Sequence, residues 1–235
     1  MTADQGAARY ALYFAPVPDT PLHRFGSAWL GRDAATGRPV PQPEVPGVTP
    51  ERLAEITRPP ALYGFHATLK PPFRLAGGCS EAGLLEAVAA LAGERQPFAA
   101  PALTLAVIDG WRALVLQARC PEMQALCDEM VAALDPFRRP PDEAELARRL
   151  AAGLTPRQEA LLRRWGYPYV FDEFRFHMTL TSRLDAAEGA RIDAALAALA
   201  APHLRDPLAV DGVALFRQPG PGEPFRLLRR FPFAA

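Results

Sequence analysis

Two segments far apart in the chain, Gly64-Phe65-His66-Ala67-Thr68-Leu69-Lys70 and Arg175-Phe176-His177-Met178-Thr179-Leu180-Thr181, carry one chemical pattern. Each sets a histidine and a threonine two residues apart between apolar residues, the period of a β-strand with one buried face. His66, Thr68 and Lys70 then share a face, as do Arg175, His177, Thr179 and Thr181, while Phe65, Ala67, Leu69, Phe176, Met178 and Leu180 point to the core. Each segment is followed by the same succession of helix, strand and strand. This duplication predicts an α+β fold of two pseudo-twofold-related lobes, antiparallel sheet plus helices, facing each other across a central cleft.

The local signals fill in that order. Residues 9–15 read as a first strand, ended by Pro16 and Pro18. A helix is expected from Pro21 to Leu30, and the five prolines of residues 37–50 mark an irregular surface segment. Arg58-Pro59-Pro60 leads into the first motif strand, which Pro71-Pro72 should stop. Ser80 caps a helix, Leu103–Ile108 and Ala113–Ala118 form a hairpin about Asp109-Gly110, and Pro121 opens a helix to about Leu134. The second half offers a strand at 174–181, a helix near 187–200, and strands at Leu208–Phe216 and Phe225–Phe231. Between the halves, residues 142–165 predict two helices, the second opened by Thr155-Pro156; they read as a helical insertion, either a surface hairpin, a lid over the cleft or a partner-binding element. Residues 1–235 are read as a single bilobal domain.

Twenty-six basic residues balance 26 acidic ones, so no global field draws the chain to nucleic acid or an anionic membrane. No apolar window is long enough to span a bilayer, and no leader is visible. Cys79, Cys120 and Cys127 have no paired spacing and read as reduced thiols in a cytoplasmic protein. Neither motif supplies a third ligand for zinc, so no metal and no cofactor is expected.

Two imidazoles facing one pocket, each beside a hydroxyl, suit in-line attack on a phosphodiester. One neutral histidine takes the proton of the incoming water; the other, protonated, gives a proton to the leaving alkoxide. Thr68 and Thr179 can donate to non-bridging phosphate oxygens. Alternation adds Lys70, Arg175 and Thr181 as substrate contacts, and Tyr63 stands where it can stack on a sugar or base.

The segments GFHATLKPPF and FRFHMTLTSRL resemble the paired His-x-Thr motifs of the 2H phosphoesterases, which include 2′–5′ RNA ligase-like proteins and cyclic nucleotide phosphodiesterases. With Ala28-Trp29-Leu30-Gly31-Arg32-Asp33 and the long spacer, the chain is similar to a branch associated with phosphonate-catabolism operons. The resemblance implies catalytic and phosphate-holding roles for His66, Thr68, His177 and Thr179. It also implies a small cyclic or diester phosphosugar, such as a ribose cyclic phosphate, as substrate. An RNA 2′,3′-cyclic phosphodiesterase or RNA ligase would need a basic track that zero net charge does not favour. A non-catalytic phospho-ligand sensor would use the same pocket without turnover. No membrane and no obligate protein partner is expected.

Overall fold

The computed structural model describes residues 8–151 and 153–234. The chain begins with β1 (Arg9–Phe14), α1 (Pro21–Leu30), α2 (Pro50–Ala61) and β2 (Ala67–Phe73), the strand of the first motif. It continues through α3 (Glu81–Gly93), β3 (Phe98–Ala100), the hairpin of β4 (Leu103–Ile108) and β5 (Trp111–Leu116), and α4 (Pro121–Ala133). The insertion forms α5 (Glu143–Leu150) and α6 (Pro156–Trp165). The second half holds β6 (His177–Thr179), α7 (Ala186–Ala200), β7 (Leu208–Val210), β8 (Gly212–Gln218) and β9 (Arg226–Pro232).

Seven strands form one antiparallel sheet in the order β4-β5-β6-β2-β1-β8-β9, and β3 pairs with β7 in a separate ribbon. The motif strands β2 and β6 meet at the centre through Ala67 and Met178, the middle residues of their His-x-Thr triplets. Both pairs of equivalent strands, β2 with β6 and β3 with β7, therefore pair antiparallel with each other, as a pseudo-twofold axis requires. The lobes are the two wings of this sheet. Each wing takes its outer hairpin from the other half of the chain, and they are unequal because β1 lies between β2 and β8 while β5 bonds β6 directly.

Strand alternation sorts the side chains into two layers. Tyr10, Leu12 and Phe14, with Leu69, Leu114, Met178, Val213 and Leu215, face a core filled from α1, α2, α3, α4, α6 and α7. Ala11, Tyr13 and Ala15, with Ala214, Phe216 and Phe225, face the opposite side. At about 25 cal/mol per Å² of apolar area removed from water, the first layer supplies most of the driving force for folding. The second forms a firm bed under the cleft.

The structure departs from the sequence reading in four places. α2 takes in Pro50, read as the end of the irregular segment, and Arg58-Pro59-Pro60, read as the approach to the first motif. Thr49 caps it, Pro50 opens it, and Leu53, Ile56, Thr57 and Pro60 are buried at helical spacing. Pro60 has no N–H to bond the Ile56 carbonyl, which instead accepts from Ser182 N at 2.7 Å and ties the chain after β6 to α2. Pro71-Pro72 does not end β2. The ladder to β1 runs from Leu12↔Lys70 to Tyr10↔Phe73, so the prolines sit in an irregularity where no donor is needed, and beyond Ala67 the β6 side of the strand is unpaired. The second motif strand covers only His177–Thr179, because a 3-10 turn at Phe171–Glu173 precedes it and the chain leaves the ladder after Thr179. The strand expected at Leu208–Phe216 divides at Asp211 into β7 and β8, which join different sheets.

Candidate active site

His66, Thr68, His177 and Thr179 converge on one cleft of about 440 Å³ over the centre of the sheet, a size suited to a small ligand. Gly64 sets the first motif. Its φ of +84° is in the left-handed region, and a Cβ there would stand 2.5 Å from Ala34 Cβ. Glycine is needed on both counts. The turn it makes lets the Gly64 carbonyl accept from His66 Nδ1 at 2.8 Å. The Arg175 carbonyl does the same for His177 Nδ1 at 2.7 Å. With Nδ1 holding the proton, each neutral ring turns a basic Nε2 away from the backbone. His66 Nε2 lies 3.2 Å from Thr68 Oγ1, so the Thr68 hydroxyl donates to it.

An aromatic ring backs each histidine. Tyr13 stacks on His66 with centroids 3.7 Å apart, and Trp111 leans on His177 at 5.2 Å. Burial pushes the His66 imidazole down to about 4; the Gly64 carbonyl opposes this and the charge of a protonated His177 adds to it. Burial also lowers His177, against the pull of the Arg175 carbonyl. Tyr13 is fully buried, its phenol held well above its ordinary range by that burial, and its hydroxyl has no hydrogen-bond partner among the described residues.

Of the other sequence-derived contacts, Tyr63 is in the cleft, its ring 6.2 Å from His66 and stacked on Phe225. Lys70 is not. An extra residue in β2 between the Tyr13↔Thr68 and Leu12↔Lys70 pairs breaks the alternation, so Leu69 and Lys70 are both buried. Lys70 Nζ donates to Val131 O at 2.9 Å, and burial lowers its ammonium to about 8. Arg175 precedes β6 and is exposed along a larger groove of about 1050 Å³ beside α4 that contains neither histidine; only its carbonyl serves the cleft. Thr181 lies past the end of β6, buried, its hydroxyl accepting from Arg112 N at 3.0 Å.

The cleft also has walls that strand alternation could not reveal. Arg149 and Leu154 come from the insertion, and Tyr167, Pro168 and Tyr169 from the segment after α6. The helical insertion thus forms one side of the cleft. Arg9 from β1 and Pro71-Pro72 of β2 close another side. Arg9 carries the one signal the sequence offered, a charge at the head of an apolar strand. Among the described residues, no three His, Cys, Asp or Glu side chains gather as a metal site, and no helix is long and apolar enough to cross a membrane.

An antiparallel α+β sheet with two His-x-Thr pairs at its centre is the arrangement that the resemblance to the 2H phosphoesterases implies. The chain belongs to the family described as "Protein of unknown function (DUF1045)", whose model matches residues 68–226. It is 40% identical over 99% of its length to "Ribose 1,5-bisphosphate phosphokinase PhnN" of Janthinobacterium sp. (strain Marseille), covering 52% of that protein. It is 41% identical over 94% of its length to the protein of the same name from Laribacter hongkongensis (strain HLHK9), covering 51%. The chain therefore spans about half the length of these relatives. Among solved structures it is similar to E. coli LigT complexed with NADP+ (TM-score 0.44, 12% identity, 97% of this chain and 99% of that one). A structure described as a phosphoesterase gives a TM-score of 0.43 at 12% identity, with the same coverage.

Proposed function

We propose that the chain is a metal-independent phosphodiesterase that opens a small cyclic phosphate of a sugar by two-histidine acid–base catalysis. The observation that carries this reading is that both His-x-Thr pairs line one small cleft, each imidazole oriented by a backbone carbonyl through Nδ1.

His66 is the base. It is the more strongly depressed of the pair, so it is neutral near neutral pH, and its Nε2 is poised to take the proton of an attacking water. The water oxygen bonds to phosphorus, the ring P–O bond breaks, and His177 Nε2–H protonates the departing alkoxide. The product is a phosphomonoester beside a free hydroxyl. An arriving phosphate anion raises the His177 pKa by direct attraction, so substrate binding helps to charge the acid. Thr179 donates to an equatorial oxygen, where charge gathers in the transition state, and Thr68 does the same once the attacking water replaces its hydroxyl at His66 Nε2. Trp111 and Tyr13 exclude water from the backs of the rings.

A sugar phosphate is favoured over RNA. Tyr63, Tyr167 and Tyr169 with Leu154 give the cleft an aromatic rim on the scale of one sugar. The curated relatives are named for phosphotransfer to ribose 1,5-bisphosphate, which supports a ribose phosphate and a place in phosphonate catabolism. The kinase activity in that name is the competing reading. A P-loop needs a lysine directly after a glycine, whereas the single lysine of this chain, Lys70, follows Leu69 and is buried in the core.

The test is incubation of EDTA-treated protein with a ribose cyclic phosphate, with and without ATP, followed by ³¹P NMR. Conversion of the cyclic phosphate to a monoester without ATP supports the diesterase. Product formation only with ATP would support the kinase, and ligand binding without turnover would support a sensor.

A further inference from the structure

Beside the His/Thr cleft, and sharing Arg9, Pro72 and Arg149 with it, is a recess of about 40 Å³ whose wall holds five arginines, Arg9, Arg74, Arg138, Arg139 and Arg149. Among the described residues, only one carboxylate, Glu145, lines it. Glu145 bonds Arg149 at 2.8 Å and stands 4.0 Å from Arg74, while Asp135, behind the recess, bonds Arg138 at 2.7 Å and Arg164 at 3.1 Å. Arg9 and Arg139 have no carboxylate partner among the described residues; Arg9 bonds Gln218 at 2.6 Å through Nε. In a chain whose charges sum to zero, this is a local excess of positive charge at the edge of the cleft.

A second observation points to a missing acceptor. The Arg138 side chain is 11% exposed. Its Nε is taken by Asp135 and its Nη2 by the Arg164 carbonyl at 3.1 Å, yet its buried Nη1 has no partner among the described residues. Buried guanidinium donors rarely go unpaired. Nη1 lies 2.9 Å from where a Cβ on Gly166 would stand, and Gly166 itself lines the recess, so the lack of a side chain leaves that nitrogen room.

Taken with the diesterase reading, on which it rests, we infer that this recess is a subsite for a second phosphate, so that the substrate is a sugar cyclic phosphate carrying a phosphomonoester at its other end. The chemistry fits the lining. A phosphomonoester dianion offers three acceptor oxygens, and guanidinium forks meet them with charge-assisted hydrogen bonds. Arg9 and Arg149, which face both spaces, bridge the reacting phosphate and the second one. Hydrolysis of such a substrate gives a sugar bisphosphate, so the reaction that consumes this product is one acting on a sugar bisphosphate.

Two measurements keep the subsite separate from the catalysis. In the first, ribose 5-phosphate, which has no diester, is titrated by calorimetry into wild type, Arg139→Gln, the Arg74→Gln/Arg139→Gln double variant and His66→Ala. Each lost guanidinium contact should weaken binding by roughly tenfold, while His66→Ala still binds. In the second, kcat/KM is compared for a ribose cyclic phosphate with and without a 5-phosphate. Wild type should prefer the 5-phosphorylated sugar, and the arginine variants should lose that preference by roughly tenfold or more. Equal binding of ribose 5-phosphate by wild type and the double variant would overturn the subsite whatever the turnover. Failure of both sugars to react, with binding still dependent on Arg139, would refute the diesterase and leave the anion site standing.

Discussion

Lowering the pH should expose the cost of keeping His66 neutral. The imidazole titrates at about 4 in the folded chain against the usual 6.5. Above pH 6.5 it is neutral in both states and costs nothing. As pH falls from 6.5 towards 4 the unfolded chain takes up a proton that the folded chain refuses, so stability is lost across that window. At about 1.4 kcal/mol per pH unit the loss is about 2 kcal/mol by pH 5 and about 3 kcal/mol by pH 4. The perturbation is His66→Asn, whose amide can still donate to the Gly64 carbonyl but has no proton to gain. Urea unfolding of wild type and variant at pH 7.5, 6, 5 and 4 should show the variant gaining on wild type by those amounts as pH falls. The His66 ring protons, followed by NMR, should titrate well below the usual 6.5. A stability difference that is flat from pH 7.5 to 4, or a His66 midpoint near 6.5, would refute the buried neutral imidazole and with it the assignment of His66 as base.

Three further substitutions have definite expected outcomes. Tyr13→Phe removes a buried hydroxyl that has no partner among the described residues, so urea unfolding should show stability unchanged or raised by about 1 kcal/mol, while kcat/KM stays within about twofold of wild type because the ring stacked on His66 is kept. Lys70→Met should leave kcat/KM within about twofold of wild type in steady-state assays, since Lys70 Nζ bonds Val131 O beneath the sheet and does not reach the cleft. Gly64→Ala puts a side chain into the left-handed region and against Ala34; thermal unfolding should show a loss of about 1–3 kcal/mol, with activity falling further than stability because the carbonyl that orients His66 moves.

The convergence of His66, Thr68, His177 and Thr179 was legible because a two-residue period and a duplicated element order are properties of sequence alone. Lys70 shows where that logic stops. One extra residue against β1 reverses the phase of β2, and nothing in Leu69-Lys70-Pro71-Pro72 announces on which side of the prolines the irregularity falls. Arg175 and Thr181 fail for a related reason. They flank a strand of only three residues, and alternation has no meaning outside the ladder. α2 had readable signals, since Thr49-Pro50 is the same cap and first-turn proline as Thr155-Pro156, but the density of prolines on either side hid its buried Leu53 and Ile56. Arg9, Arg149, Tyr167 and Tyr169 reach the cleft from three separate elements, so only the tertiary structure brings them to the histidines.

The central claim is that two histidines divide the work of opening a cyclic phosphate without a metal. It is tested most directly by the turnover of a 5-phosphorylated ribose cyclic phosphate in EDTA by wild type, His66→Ala and His177→Ala, each shown to be folded by circular dichroism. The account predicts metal-free hydrolysis by wild type and a loss on the order of 10² to 10⁴ in kcat for either variant. Full activity in either folded variant, or wild-type turnover that EDTA abolishes and added metal restores, would contradict it.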